Sequence, residues 1–191
     1  MTRVDPRPVR LAAEQMAGVL ERCSDDPSTA IDDVAAALQP LVGPHEKLFE
    51  GAMERPTRMS RSRVLYFDPS LLFMLSAVNT DFCETPHNHG MWNALFIAEG
   101  AMQFRWYRRL DDLSTPGQAK LELVDERLLR AGDVGIVAPP PHDIHAFEVL
   151  EDDTWLVTAA PAPGLFTRQI YDLENDTYVE RALETAVPLS A

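Results

Sequence analysis

Residues 86–100 read PHNHGMWNALFIAEG, and the reading of this stretch decides the fold. An apolar, β-prone run over 93–98 is closed by Glu99-Gly100 and preceded by two histidines set one residue apart. A run of that kind bounded by turn residues predicts a strand. With strand geometry at 87 and 89, the two side chains share a face and start roughly 6–7 Å apart. That spacing suits two imidazoles converging on one ion through bonds of about 2.0–2.2 Å.

Similar runs continue outward on both sides. SRVLYF (62–67) and LLFMLSAV (71–78) flank the turn signal Asp68-Pro69-Ser70. After Gly100, MQFRWYRRL (102–110) alternates Gln103, Arg105 and Tyr107 against Phe104 and Trp106. KLELVDERLL (120–129), DVGIVA (133–138), HAFEVL (145–150), TWLVTAA (154–160) and LFTRQIYD (165–172) add further short runs at the spacing of an all-β barrel or sandwich. The first third differs. PVRLAAEQMAGVLERCS (8–24) carries apolar residues at helical spacing and stops at Ser24-Asp25-Asp26-Pro27. STAIDDVAAALQPLV (28–42) predicts a second amphipathic helix, capped by Ser28 or Thr29 and ending near Pro40; GPHEKLFEGAMER (43–55) predicts a short third. The expected organisation is a helical segment over 1–58 packed on a β-barrel over 59–191, as one structural unit.

The 191 residues suffice for one domain with a full core. A formal net charge of −13 repels nucleic acid and anionic membrane, so neither is an expected partner. Cys23 and Cys83 form no CxxC, which argues against a disulfide framework or a thiolate zinc site. The N-terminus has no apolar signal core and no stretch approaches 18 apolar residues, so the expected location is cytoplasmic.

The chain holds five histidines, and four fall in two clusters. The second cluster is APPPHDIHAFE (138–148), with His142 and His145 three apart, so that on a strand they would face opposite sides. His145 opens a strand-like run, whereas His142 follows three prolines and belongs to a loop. His145 is therefore the expected third ligand beside His87 and His89, with His142 the alternative and His45 a surface residue. Glu99 lies about 33 Å along an extended strand from His89 and cannot join them. Glu84 precedes Pro86 and reads as a loop residue, and Asp143 is placed to support a ligand from behind. Cys83 is left out of the set. Three neutral imidazoles leave a divalent ion its whole charge, which favours an anionic ligand, and a facial set leaves positions for substrate and oxygen together.

These motifs resemble those of the cupin superfamily and, within it, the cysteine dioxygenase-like thiol dioxygenases. The first motif keeps both histidines and Gly100, but Asn93 stands where cupins carry a glutamate and Asp81 where they carry an opening glycine. Lack of that glutamate is itself a feature of the thiol dioxygenases. The second motif is similar to GDVGIVAPPPHDIHAFEV, with Gly132 and His145 in the matching places. The resemblance runs from about Ser60 to Asp172. It implies a cupin double-stranded β-helix (jelly-roll barrel), mainly β, with N-terminal α-helices, an Fe(II) cofactor and a substrate-carboxylate arginine at Arg63, with Arg61 the fallback. Another divalent metal is the alternative. The family's serine–histidine–tyrosine relay has no counterpart: TWLVTAAPAPG offers only Thr158.

The function expected is thus an Fe(II)-dependent dioxygenase that takes molecular oxygen and a small thiol-bearing carboxylic acid to a sulfinate. Trp92, Phe96 and Trp106 are candidate pocket walls, with ordinary core packing the competing expectation for each. The alternatives are another metal-dependent cupin enzyme (a carbon–carbon cleaving dioxygenase, isomerase or hydrolase) or a non-catalytic ligand-binding cupin. Self-association stays open.

Overall fold

A computed structural model describes residues 5–51, 53–54, 61–161 and 167–182. The chain opens with α1 (Arg7–Arg22), whose proline-flanked start suits the first helical turn, where no intrahelical N–H bond is lost. Its residues Val9, Ala12, Ala13, Met16, Val19 and Leu20 form one buried stripe at helical spacing. Ser24 and Asp25, both at positive φ, turn the chain out of the helix. α2 (Ile31–Leu38) follows, and α3 (His45–Gly51) is a short third helix. The expected serine or threonine cap on α2 is not what forms. Asp26 instead accepts from the Ser28 N–H at 3.1 Å and caps a three-residue 3-10 turn, while Ala30 precedes α2 without a side-chain cap. The pattern could not separate these two helical turns, because only Ala30 lies between them. No helix among the described residues is long and apolar enough to cross a membrane.

The described residues beyond the helices form twelve strands: β1 (Met53–Glu54), β2 (Arg61–Phe67), β3 (Leu72–Val78), β4 (Cys83–His87), β5 (Asn93–Glu99), β6 (Ala101–Arg109), β7 (Leu121–Arg130), β8 (Val134–Val137), β9 (His145–Val149), β10 (Thr154–Ala160), β11 (Thr167–Asp172) and β12 (Thr177–Ala182). They form two six-stranded antiparallel sheets. Sheet A runs β1-β2-β3-β10-β5-β8 and sheet B runs β12-β11-β4-β9-β6-β7. Strands β3 to β10 interleave between the sheets in jelly-roll order, two Greek keys folded face to face. This is the expected mainly-β jelly-roll architecture with N-terminal helices. Because β1 already belongs to sheet A, sheet pairing begins inside the segment assigned to the helices. The expected boundary at 58/59 lies outside the described residues.

Period-2 patterning sorts the side chains of sheet A to two faces. Phe73, Leu75, Ala77, Ala94, Phe96, Val157 and Ala159 face the helices and share one core with α1, α2 and α3. Val78, Leu95, Ile97 and Leu156 face the other way, into the barrel, where they meet Met102, Phe104, Leu129, Phe147 and Val149 of sheet B. Both faces of the central strands of sheet A are buried, so β3 and β10 read as near-continuous apolar runs, interrupted by Ser76, Thr154 and Thr158, rather than as alternations. Gly100 makes the β5–β6 turn possible. It sits at φ +87°, and a Cβ there would lie 2.9 Å from the Thr154 backbone.

Candidate metal centre

The jelly roll brings the ends of β4, β8 and β10 and the starts of β5 and β9 to one mouth of the barrel. His87 ends β4 and lies opposite His145, the first residue of β9. His89 follows β4 in the loop to β5, so the strand geometry expected at both positions holds only at His87. The loop is held in place instead by β11. Asn88 N–H donates to the Gln169 carbonyl at 3.1 Å, and the Asn88 side-chain oxygen accepts from the Gln169 N–H at 2.8 Å. Behind it, the Asp143 carboxylate accepts the Gly90 N–H at 2.8 Å and ties the two histidine-bearing loops together. Burial raises Asp143 above the usual carboxylate range, and these backbone bonds oppose that shift.

The three rings converge. His87 Nε2 and His89 Nε2 are 3.1 Å apart, and one ring nitrogen from each of His87, His89 and His145 lies within 4.8 Å of the others. Ligands at about 2.1 Å from one ion and at right angles would stand about 3.0 Å apart, which is the spacing of the His87–His89 pair. The outer nitrogens fix two of the tautomers. His87 Nδ1 bonds the Thr85 carbonyl at 2.8 Å, and His145 Nδ1 bonds the Asp143 carbonyl at 3.1 Å. Each carbonyl can only accept, so each Nδ1 carries the proton and each Nε2 lone pair faces the cluster. Burial holds all three imidazoles well below their usual pKa, helped by mutual repulsion and by Arg168. They are neutral, as ligation requires. His145 also stacks on Phe104 at 5.5 Å and 6°. Gly135 leaves room for that ring, since a Cβ there would lie 2.9 Å from Phe104.

Other expectations change. His142 is exposed in the β8–β9 loop, while His145 is buried. His45 is not a surface residue: its ring packs 5.0 Å from Trp155, and its Nε2 lies 3.3 Å from Glu99. Trp92 and Phe96 sit in the core between sheet A and the helices, so they do not wall the mouth. Trp106 does lie inside, 4.5 Å from Phe104, with its indole N–H donating to the Ile136 carbonyl at 2.6 Å.

Arg63 is not brought to the histidines. It pairs across from Leu75, whose side chain packs toward the helices, and its guanidinium lies 4.9 Å above the Phe49 ring. Arg61 faces the same way, over Phe49 and Trp155. The sequence could place an arginine on a strand but could not say which face would turn inward. Among the described residues, the arginine that reaches the mouth is Arg168 of β11. Ile170 pairs with His87, so Arg168, two residues away, shares the inward face. Its guanidinium lies 3.5 Å from Glu84, with the two side chains only 11% and 15% exposed. Glu84 belongs to β4 rather than to a loop, and lies opposite Phe147. Nothing in LFTRQIYD singles Arg168 out before the β4–β11 register is known.

No family model matches the chain, and no curated protein does. Several solved structures are similar. KdgF from Halomonas sp. is 16% identical over 55% of this chain and 79% of its own, with a TM-score of 0.43. Hydroquinone 1,2-dioxygenase from Sphingomonas sp. TTNP3, with 4-hydroxybenzoate bound, is 9% identical over 61% and 73%, with a TM-score of 0.45. A cupin-2 domain containing protein from Shewanella frigidimarina NCIMB 400 is 15% identical over 56% and 84%, with a TM-score of 0.39. At such identities the chemistry of the mouth is read from this chain's own residues.

Proposed function

We propose that His87, His89 and His145 hold one divalent metal ion, Fe(II) in the working protein, and that the chain is a dioxygenase of small thiol-bearing carboxylic acids, giving sulfinates. The observation that carries this is the convergence of three neutral imidazoles, with His87 Nε2 and His89 Nε2 3.1 Å apart and one ring nitrogen of each of the three within 4.8 Å of the others. Such a cluster of acceptors is mutually repulsive without a cation. Bound iron would supply the redox chemistry, in which both atoms of one dioxygen pass to the thiolate sulfur.

The chain's own residues do the rest. The all-histidine set carries no negative charge, so an anionic thiolate gains the full attraction of the ion. Arg168, rather than Arg63, is the carboxylate clamp of this reading, because its planar guanidinium opens onto the same mouth and can take a carboxylate by paired hydrogen bonds. Glu84 holds Arg168 before the acid arrives and neutralises part of its charge. Phe104 and Trp106 keep one wall apolar and water-poor.

One specific observation favours a second reading, another metal-dependent cupin enzyme. The strand that would carry the relay offers Thr158 alone, with Ala159 and Ala160 beyond it. Two measurements separate the readings: elemental analysis of protein purified without added metal, and oxygen uptake with thiol acids. Iron near one per chain with uptake supports the dioxygenase. Zinc in its place, or iron with no uptake on any thiol acid, sinks it.

A further inference from the structure

Opposite the histidines, the inner face of sheet A carries two buried polar atoms. Asn93 Oδ1 and Thr158 Oγ1 are buried and have no hydrogen-bond partner among the described residues. Their residues are 8% and 7% exposed. Thr158 pairs across from Leu95, and Asn93 lies two residues before Leu95 on the same face, so the two form a diagonal pair on adjacent strands. Diagonal neighbours stand about 7–8 Å apart at the backbone, near enough for both side-chain oxygens to bond one group between them. Asn93 pairs with Val137, the last residue of β8, and starts the strand that follows the His89 loop, which puts the pair at the barrel mouth.

An unsatisfied buried polar group costs about 1–3 kcal/mol, and an apolar side chain of equal shape would remove that cost. Two such groups side by side on an otherwise apolar wall therefore point to a ligand. The chemistry of that ligand is constrained. The amide oxygen can only accept, so the ligand must donate. The inner-face neighbours Met74, Leu95 and Val137 carry no charge, so a desolvated ammonium would find no counter-ion there. Of the carboxylates near the mouth, Glu84 is engaged by Arg168 on the other sheet and Asp143 by the Gly90 N–H.

We propose that Asn93 and Thr158 form a subsite for a neutral hydroxyl of the substrate, so that the preferred acid is a hydroxylated thiol acid. Its thiolate faces the histidines, its carboxylate meets Arg168, and its hydroxyl bridges the two orphan oxygens. This rests on the thiol-acid reading above.

The test is anaerobic calorimetry on the Fe(II)-loaded protein with three probes of one carbon skeleton: 3-mercaptopropionate, 3-mercaptolactate and cysteine. The wild type is expected to bind mercaptolactate about tenfold more tightly than the other two, the difference one well-placed polar contact makes. In Thr158→Val and in Asn93→Leu the ratio falls to about one, and Thr158→Ser keeps it. The melting temperature of metal-free Thr158→Val is expected at or above that of the wild type, which a hydroxyl with a structural role would not allow. Equal binding of mercaptolactate and mercaptopropionate, a preference for cysteine, or a clear loss of stability in Thr158→Val overturns the subsite. If the wild type binds none of the three, the thiol-acid reading fails and takes the subsite with it.

Discussion

The two ends of the barrel are built from the same strands and obey opposite rules. At the closed end, Val78, Ile97, Met102, Leu129, Val149 and Leu156 pack into a dry interior in which each is at most 5% exposed. At the mouth, the same inward-facing rows carry His87, His145, Arg168, Glu84, Asn93 and Thr158. The closed end gains stability from each methylene it buries. The mouth gives stability up, through three neutralised imidazoles and two unpartnered oxygens. Such local sacrifice, on a scaffold stabilised elsewhere, is how a binding site is maintained.

The sharpest break of this comparison is expected from His145→Ala, which should abolish metal content under the reading proposed here while leaving the closed end intact. Metal analysis and a melting curve on one preparation check both halves. Retention of one metal per chain would remove His145 from the ligand set.

Next in size is the reverse experiment. Leu156→Ala opens a cavity at 0% exposure and is expected to destabilise by about 2–5 kcal/mol in denaturant titration. Metal content per folded chain should not change. If it falls in parallel with stability, the two ends are not separable.

A smaller effect is expected from Arg168→Met, which removes the charged donor at the mouth. Affinity for a carboxylate ligand should drop by about 1.5–3 kcal/mol, the range for a hydrogen bond to a charged group. The same substitution at Arg63 should leave affinity unchanged, because its guanidinium faces Phe49. An equal loss at both positions would contradict the facing of β2.

The mouth should also show in the pH dependence of the metal-free protein. The three histidines are held below the ordinary value of 6.5, chiefly by burial. Unfolded chains therefore take up protons near pH 6.5 while folded ones do not, so stability is full above that value and falls as pH drops below it. Urea midpoints measured from pH 8 to pH 5 should decline, and His87→Leu should flatten the slope. The smallest effect lies far from the mouth. Asp68, held down to about 2 chiefly by the Tyr66 hydroxyl, contributes stability above about pH 3.8 that is lost as pH falls through 2. Asp68→Asn should cost about 1 kcal/mol at neutral pH and leave metal binding untouched.

Much of this architecture was legible before any coordinates. Period and turn residues placed α1, α3 and most strands within a few positions, because local patterning reports burial on one face directly. The short β1, β4 and β12 were not separately foreseen. CETPH lacks an apolar alternation, and TYVERA is mostly exposed at an edge of sheet B. Within the site, HNH and the His145 cluster stood out because histidine is rare in this chain and its spacing is local.

What the sequence determined by itself, then, was everything set by neighbours in the chain: the strand and helix runs, the mainly-β class, and the histidines worth watching. Tertiary structure decided which strand meets which, and so which face of each turns inward. Arg63 and Arg168 show the difference. Both sit on alternating strands, but the face of a strand flips with every residue of register, and register is fixed only when β2 pairs with β3 and β11 with β4. The orphaned oxygens of Asn93 and Thr158 belong to the same class, since a missing partner is a property of the folded interior alone.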